Sequence, residues 1–98
     1  GKTPLFEACS RGNENIIKYL VEKGAEINKE TSIGRTPLFE ACFSGNENIV
    51  KYLVDKGADV NKENCYGLTP FSLACCSGNE NIVKYLVEKG ADVNKENY

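Results

Sequence analysis

Ile16, Ile17, Leu20 and Val21 fall at i, i+1, i+4 and i+5, so they line one stripe of a helix; Glu14, Asn15, Lys18 and Glu22 take the other side. The stripe returns as Ile49, Val50, Leu53, Val54 and as Ile82, Val83, Leu86, Val87. A shorter apolar cluster, Leu5, Ala8 and Cys9, precedes the first stripe and recurs before the others. The pattern therefore predicts three helix pairs, and each pair punctuates itself. Thr3 can cap the first helix, with Pro4 at its first position, where a missing N–H does no harm. That helix is predicted to run to about Arg11, and Gly12 suits the left-handed residue beyond its end. Asn13 can cap the second helix, Glu14 favours its dipole, and Gly24 ends it. Residues 25–35 lead to the next Thr-Pro.

The spacing is regular throughout. Thr3-Pro4-Leu5, Thr36-Pro37-Leu38 and Thr69-Pro70-Phe71 stand 33 residues apart, and no insertion breaks the register. Of the 32 positions filled in all three units, 20 are identical. Every predicted helix is shorter than the ~12–15 residues at which an isolated helix becomes marginal, so the helices must persist by packing. Burying one Leu or Ile contributes roughly 1.5–3 kcal/mol, and one helix pair has too few of them. A stack of pairs gains a continuous core.

Composition narrows the function. The 98 residues suit one domain. Charged residues make up 27% and the net charge is −2, a mixed surface without the field that nucleic acid or an anionic membrane demands. No apolar run approaches the roughly 20 residues of a membrane helix, and no secretory leader is visible. The five cysteines, Cys9, Cys42, Cys65, Cys75 and Cys76, are an odd number and a poor disulfide framework. Cys9, Cys42 and Cys75 share one repeat position and read as a core slot, which predicts a reducing, intracellular and cytoplasmic setting.

Catalytic groups are scarce. The chain has no histidine, so no Cys-His or Ser-His pair exists. Four converging zinc ligands are not in view, and the glycines follow helices at fixed offsets as turn residues, so neither a metal nor a cofactor is expected. Glu7 and Glu40 lie one repeat apart and read as partner contacts in preference to an acid–base pair.

The Thr-Pro-Leu opening, the glycine between helices and the ending Gly57-Ala58-Asp59-Val60-Asn61 resemble the ankyrin repeat, and the resemblance spans the whole chain three times. It implies an all-α repeat: an ankyrin solenoid of helix-turn-helix pairs joined by β-hairpin loops, one domain over 1–98 with repeats 1–33, 34–66 and 67–98. It also implies a concave side lined by first helices and hairpin tips, protein binding, and no catalysis. One departure is clear. The family has a histidine after Thr-Pro-Leu that bonds to the threonine; Phe6, Phe39 and Ser72 hold that slot, so that bond is expected to be absent.

The three units differ mainly in the first helices and loop tips. The columns Leu5/Leu38/Phe71 and Phe6/Phe39/Ser72 also vary, and by the implied geometry most of the variable positions face the concave side. The second helices hardly differ, which favours a recognition surface over free drift. The expected partner-binding residues are Glu7, Ser10, Arg11, Ser32, Ile33, Arg35, Glu40, Phe43, Ser44, Cys65, Tyr66, Leu68, Leu73, Cys76 and Ser77. Phe43, Tyr66, Arg35 and Leu73 are the expected centre, since interfaces favour aromatic residues and Arg over Lys. A designed or recently duplicated scaffold and a structural spacer are the competing readings. Both outer units carry the same apolar stripe as the middle one, which predicts a stretch of a longer array and end-to-end stacking at high concentration.

Overall fold

A computed structural model describes residues 2–94; Gly1 and residues 95–98, the end of the third repeat, lie outside the described residues. Six helices follow in order: α1 Pro4–Arg11, α2 Glu14–Glu22, α3 Pro37–Ser44, α4 Glu47–Asp55, α5 Pro70–Ser77 and α6 Glu80–Glu88. Each pair packs as a hairpin, and α1, α3 and α5 lie side by side in one layer.

The caps form as the sequence predicts. The Thr3 hydroxyl accepts from the Phe6 N–H at 3.1 Å, and Asn13 accepts from the Ile16 N–H at 3.2 Å. Gly12 closes α1 at φ 73°, and the Asn13 N–H reaches back to the Ala8 carbonyl. The missing-histidine expectation needs one correction. In the third repeat Ser72 supplies a bond of that kind: its hydroxyl accepts from the Thr69 N–H at 3.2 Å and lies 2.9 Å from the Thr69 hydroxyl. Ser72→Ala should therefore lower stability by about 1 kcal/mol, read by urea denaturation, through the unpaired buried Thr69 N–H.

The loops also differ in detail from the expectation. They are hairpin turns, with no strand among the described residues. Thr31 N–H donates to the Arg35 carbonyl at 2.8 Å, and Asn64 N–H to the Leu68 carbonyl at 2.9 Å. One such closure per turn is too little for a ladder. The Thr31 hydroxyl and the Asn64 side-chain oxygen both tighten their turn by accepting from the N–H four residues on.

The core is continuous through the stack and lies largely between repeats. Leu38, Cys42, Ile49, Val50 and Leu53 of the middle unit are buried, as are Leu5, Cys9 and Ile17 before them and Ile82 and Leu86 after. Two variable columns belong here and not on the concave surface: Leu5, Leu38, Phe6 and Phe39 are all buried. Cys75 departs from the core-slot reading in the other direction. It is exposed while Cys9 and Cys42 are buried, because among the described residues α5 has no neighbour on the side opposite α3. Burial pushes the Cys9 thiol, with help from the Glu40 charge, and the Cys42 thiol up to about 12.

Candidate protein-binding surface

Two hairpin tips and the outer sides of the first helices make one face. The tips are locked in register by a bond between repeats: Cys65 N–H donates to the Ile33 carbonyl at 2.8 Å. This close approach needs Gly34. It has φ +83°, and a Cβ there would stand 2.9 Å from the Asn64 Cα. The lock leaves Ile33 and Tyr66 exposed at successive tips, Tyr66 at 63%.

Arg35 ties the tips to α3. It forms an ion pair with Glu40, and its guanidinium lies 5.5 Å from the Phe39 ring centre and 5.9 Å from that of Phe43. Phe39 beneath it is buried, whereas Phe43 stands 66% exposed. Beside this cluster a hollow of about 260 Å³ is lined by Lys2, Phe6, Thr31, Ser32, Ile33 and Arg35.

Most of the sequence-predicted contact residues are accessible. Glu7, Ser10, Arg11, Ser32, Ile33, Phe43, Ser44, Cys65, Tyr66, Cys76 and Ser77 are exposed, and Arg35, Leu68 and Leu73 are half-buried. The Ser44 and Ser77 hydroxyls are turned onto the Ala41 and Ala74 carbonyls of their own helices. Glu40 is a correction: it is buried under Arg35 and cannot set charge register with a partner from there. Glu7, the same residue one repeat earlier, remains exposed. Glu40 pairs with Arg35 and lies near Cys9 of the preceding repeat, whereas Glu7 belongs to the first described repeat.

The constancy of the opposite face has a structural cause that the sequence reading did not supply. Repeated residues there bridge adjacent units. The Asn28 side chain donates to the Gly57 carbonyl at 3.1 Å and accepts from the Asp59 N–H at 2.8 Å. Asn61 does the same to Gly90 and Asp92. Lys18 lies over the Tyr52 ring and Lys51 over the Tyr85 ring, each reaching from the preceding repeat. The signal was available: side chains that recur unchanged on an exposed stripe of a stack are candidates for bonds along it. A groove of about 310 Å³ between α2 and α4 is lined largely by fixed residues, among them Lys18, Asn48, Lys51 and Tyr52, with Asp55 beside them.

No group of three or more Cys, Asp or Glu among the described residues could hold a metal ion, and no described helix is long and apolar enough to cross a membrane. The arrangement offers apolar and aromatic contact area around a fixed cation, which suits binding to a polypeptide.

A family model described as ankyrin repeats (3 copies) matches residues 1–64 and 30–97. The fold is similar to the crystal structure of the human ASB11 ankyrin repeat domain, with a TM-score of 0.92 and 37% sequence identity over 97% of this chain. The chain spans 43% of that longer domain. No curated protein sequence matches the chain.

Proposed function

The chain belongs to the ankyrin repeat family, and on that premise we propose that it grips a partner protein through the ridge formed by Ile33, Phe43 and Tyr66 around Arg35. Ankyrin repeats are generally protein–protein interaction modules, and the family is typically non-enzymatic. One observation carries the assignment to this ridge. Phe43 and Tyr66 are large aromatics held mostly in solvent, on elements locked by the Cys65–Ile33 bond and the Arg35–Glu40 pair. Rigid exposed aromatics gain contact area at little entropic cost. Leu73 and Cys76 extend the ridge onto α5. The exposed thiols Cys65, Cys75 and Cys76 suit a reducing, cytoplasmic setting.

Two sets of substitutions separate the faces. Phe43→Ala, Tyr66→Ala and Arg35→Ala together should weaken partner binding about a hundredfold, each anchor contributing on the order of 1–2 kcal/mol without full additivity. Asn48→Ala, Lys51→Ala and Asp55→Ala, across the stack, should leave it nearly unchanged. Affinity capture followed by titration of the captured protein reads both. Loss of binding in the second set alone would place recognition on the second helices.

A further inference from the structure

Charge is spread unevenly over the two sides of the stack. The second helices are rich in it: α2 carries Glu14, Lys18 and Glu22, α4 carries Glu47, Lys51 and Asp55, and α6 carries Glu80, Lys84 and Glu88. The first helices lose it from one end to the other. α1 exposes Glu7 and Arg11, α3 has Glu40 alone and buries it, and α5 has no charged residue. Neither tip, Thr31-Ser32-Ile33-Gly34 or Asn64-Cys65-Tyr66-Gly67, holds a charge, and behind them Lys62 pairs with Glu30 of the preceding repeat at 2.8 Å. Arg35 is therefore the one charged member of the ridge, and it is already matched within the chain. Its Nη2 pairs with Glu40, its Nε is closed off from solvent, and its guanidinium is held against the Phe39 and Phe43 rings. The Nε–Nη2 edge, which could grip a carboxylate at two points, is thus occupied, and what faces outward is an aromatic ring on a neutralised support. Phe43 and Ser44 sit on α3, with α1 on one side and α5 on the other, so their exposure does not depend on where the stack begins or ends.

We propose that the ridge takes an apolar, uncharged segment of its partner, with leucine, isoleucine, valine or phenylalanine side chains against Phe43 and Tyr66 and no ion pair across the contact. The proposal rests on the ridge reading above and adds the partner's chemistry. Complementarity of charge carries it. A carboxylate or ammonium of the partner pressed onto Phe43 and Ser44 would lose its water and find no free countercharge. An apolar side chain in the same place gains by leaving water. The Ser44 and Ser77 hydroxyls already donate within their own helices, so they do not call for an acceptor on the partner. A contact of this kind is insensitive to salt, since screening acts only between charges.

Selection on the intact chain tests this, with a random-sequence peptide phage library as the probe. Enriched peptides are synthesised and titrated by calorimetry against the parent, Phe43→Ala, Ser44→Lys and Ser44→Glu. Relative to the unselected library they should be rich in Leu, Ile, Val and Phe and poor in Asp, Glu, Lys and Arg. Their Kd should change less than about twofold between about 50 and about 500 mM NaCl. Phe43→Ala should weaken them about tenfold. Ser44→Lys and Ser44→Glu should each weaken them about fivefold or more, since a charge of either sign is stranded in an apolar contact. Ser44 is exposed, so both variants should keep the parent's circular dichroism. Peptides rich in Asp and Glu that Ser44→Lys strengthens and Phe43→Ala still weakens would overturn the proposal while leaving the ridge in place. Enriched peptides indifferent to Phe43→Ala would overturn both readings, and a library that enriches nothing would overturn this one. Self-association of the free chain that Phe43→Ala abolishes would give the ridge to a second copy, with the same result.

Discussion

Leu53→Ala lowers the free energy of unfolding by about 3–5 kcal/mol, whereas Leu20→Ala, the same change at the same repeat position, costs less than half as much. Leu53 is fully buried in α4 of the middle unit, with repeats on both sides, so its loss leaves a cavity that rigid neighbours cannot fill. Leu20 is only partly buried, since among the described residues no unit packs on α2 from the side opposite α4. A domain of this size has a total stability of about 5–15 kcal/mol, so the middle substitution removes a large part of it. Urea denaturation monitored by circular dichroism measures both. Equal losses at the two positions would mean that each helix hairpin is held by itself and not by its neighbours.

Gly34→Ala is expected to destabilise by about 3 kcal/mol or more, and Gly24→Ala by about 1–2 kcal/mol. Both glycines have positive φ, so both alanines carry the left-handed penalty. At Gly24 nothing lies within 4 Å of the added Cβ, and that penalty is the whole cost. At Gly34 the Cβ meets the Asn64 backbone, which cannot rotate away as a side chain would. The two hairpins must separate, and the Cys65–Ile33 bond is lost with them. Ile33 and Tyr66 sit on those hairpins, so Gly34→Ala should also weaken partner binding while Gly24→Ala leaves it intact. Thermal melts and binding titrations on the two variants check both parts. Equal effects would mean that the tips are not held by this contact.

Local rules carried the sequence reading far. The Thr3 and Asn13 caps, the end of α1 at Arg11 and the left-handed Gly12 all depend on residues within one turn of each other, and all appear as expected. Readings failed where an identical letter meets a different neighbour. Cys75 matches Cys9 and Cys42 in the sequence, yet its exposure depends on whether another unit follows. Glu40 matches Glu7, yet it is buried, paired with Arg35 and close to Cys9 of the repeat before it. Ser72 looked like the loss of a turn bond and proves to be a substitute for it, because a serine hydroxyl at the third helical position can reach back to the cap N–H. On the candidate surface, the aromatic tips were legible because Phe43 and Tyr66 break the repeat with residues that no core column requires. The cause of the constancy was not locally legible: Lys18 and Lys51 of the second helices, and Asn28 and Asn61 in the loops after them, act on the next unit 29–34 residues away. Such bonds have no local signature.

Site-specific photocrosslinking addresses the ridge most directly. A photoreactive phenylalanine analogue is placed singly at Phe43, Tyr66, Lys51 and Lys84, the first pair on the ridge and the second on the far side of the stack. Recognition by the ridge predicts one shared crosslinked protein from Phe43 and Tyr66 and none from Lys51 or Lys84. That protein crosslinking from Lys51 and Lys84, with Phe43 and Tyr66 silent, would contradict it.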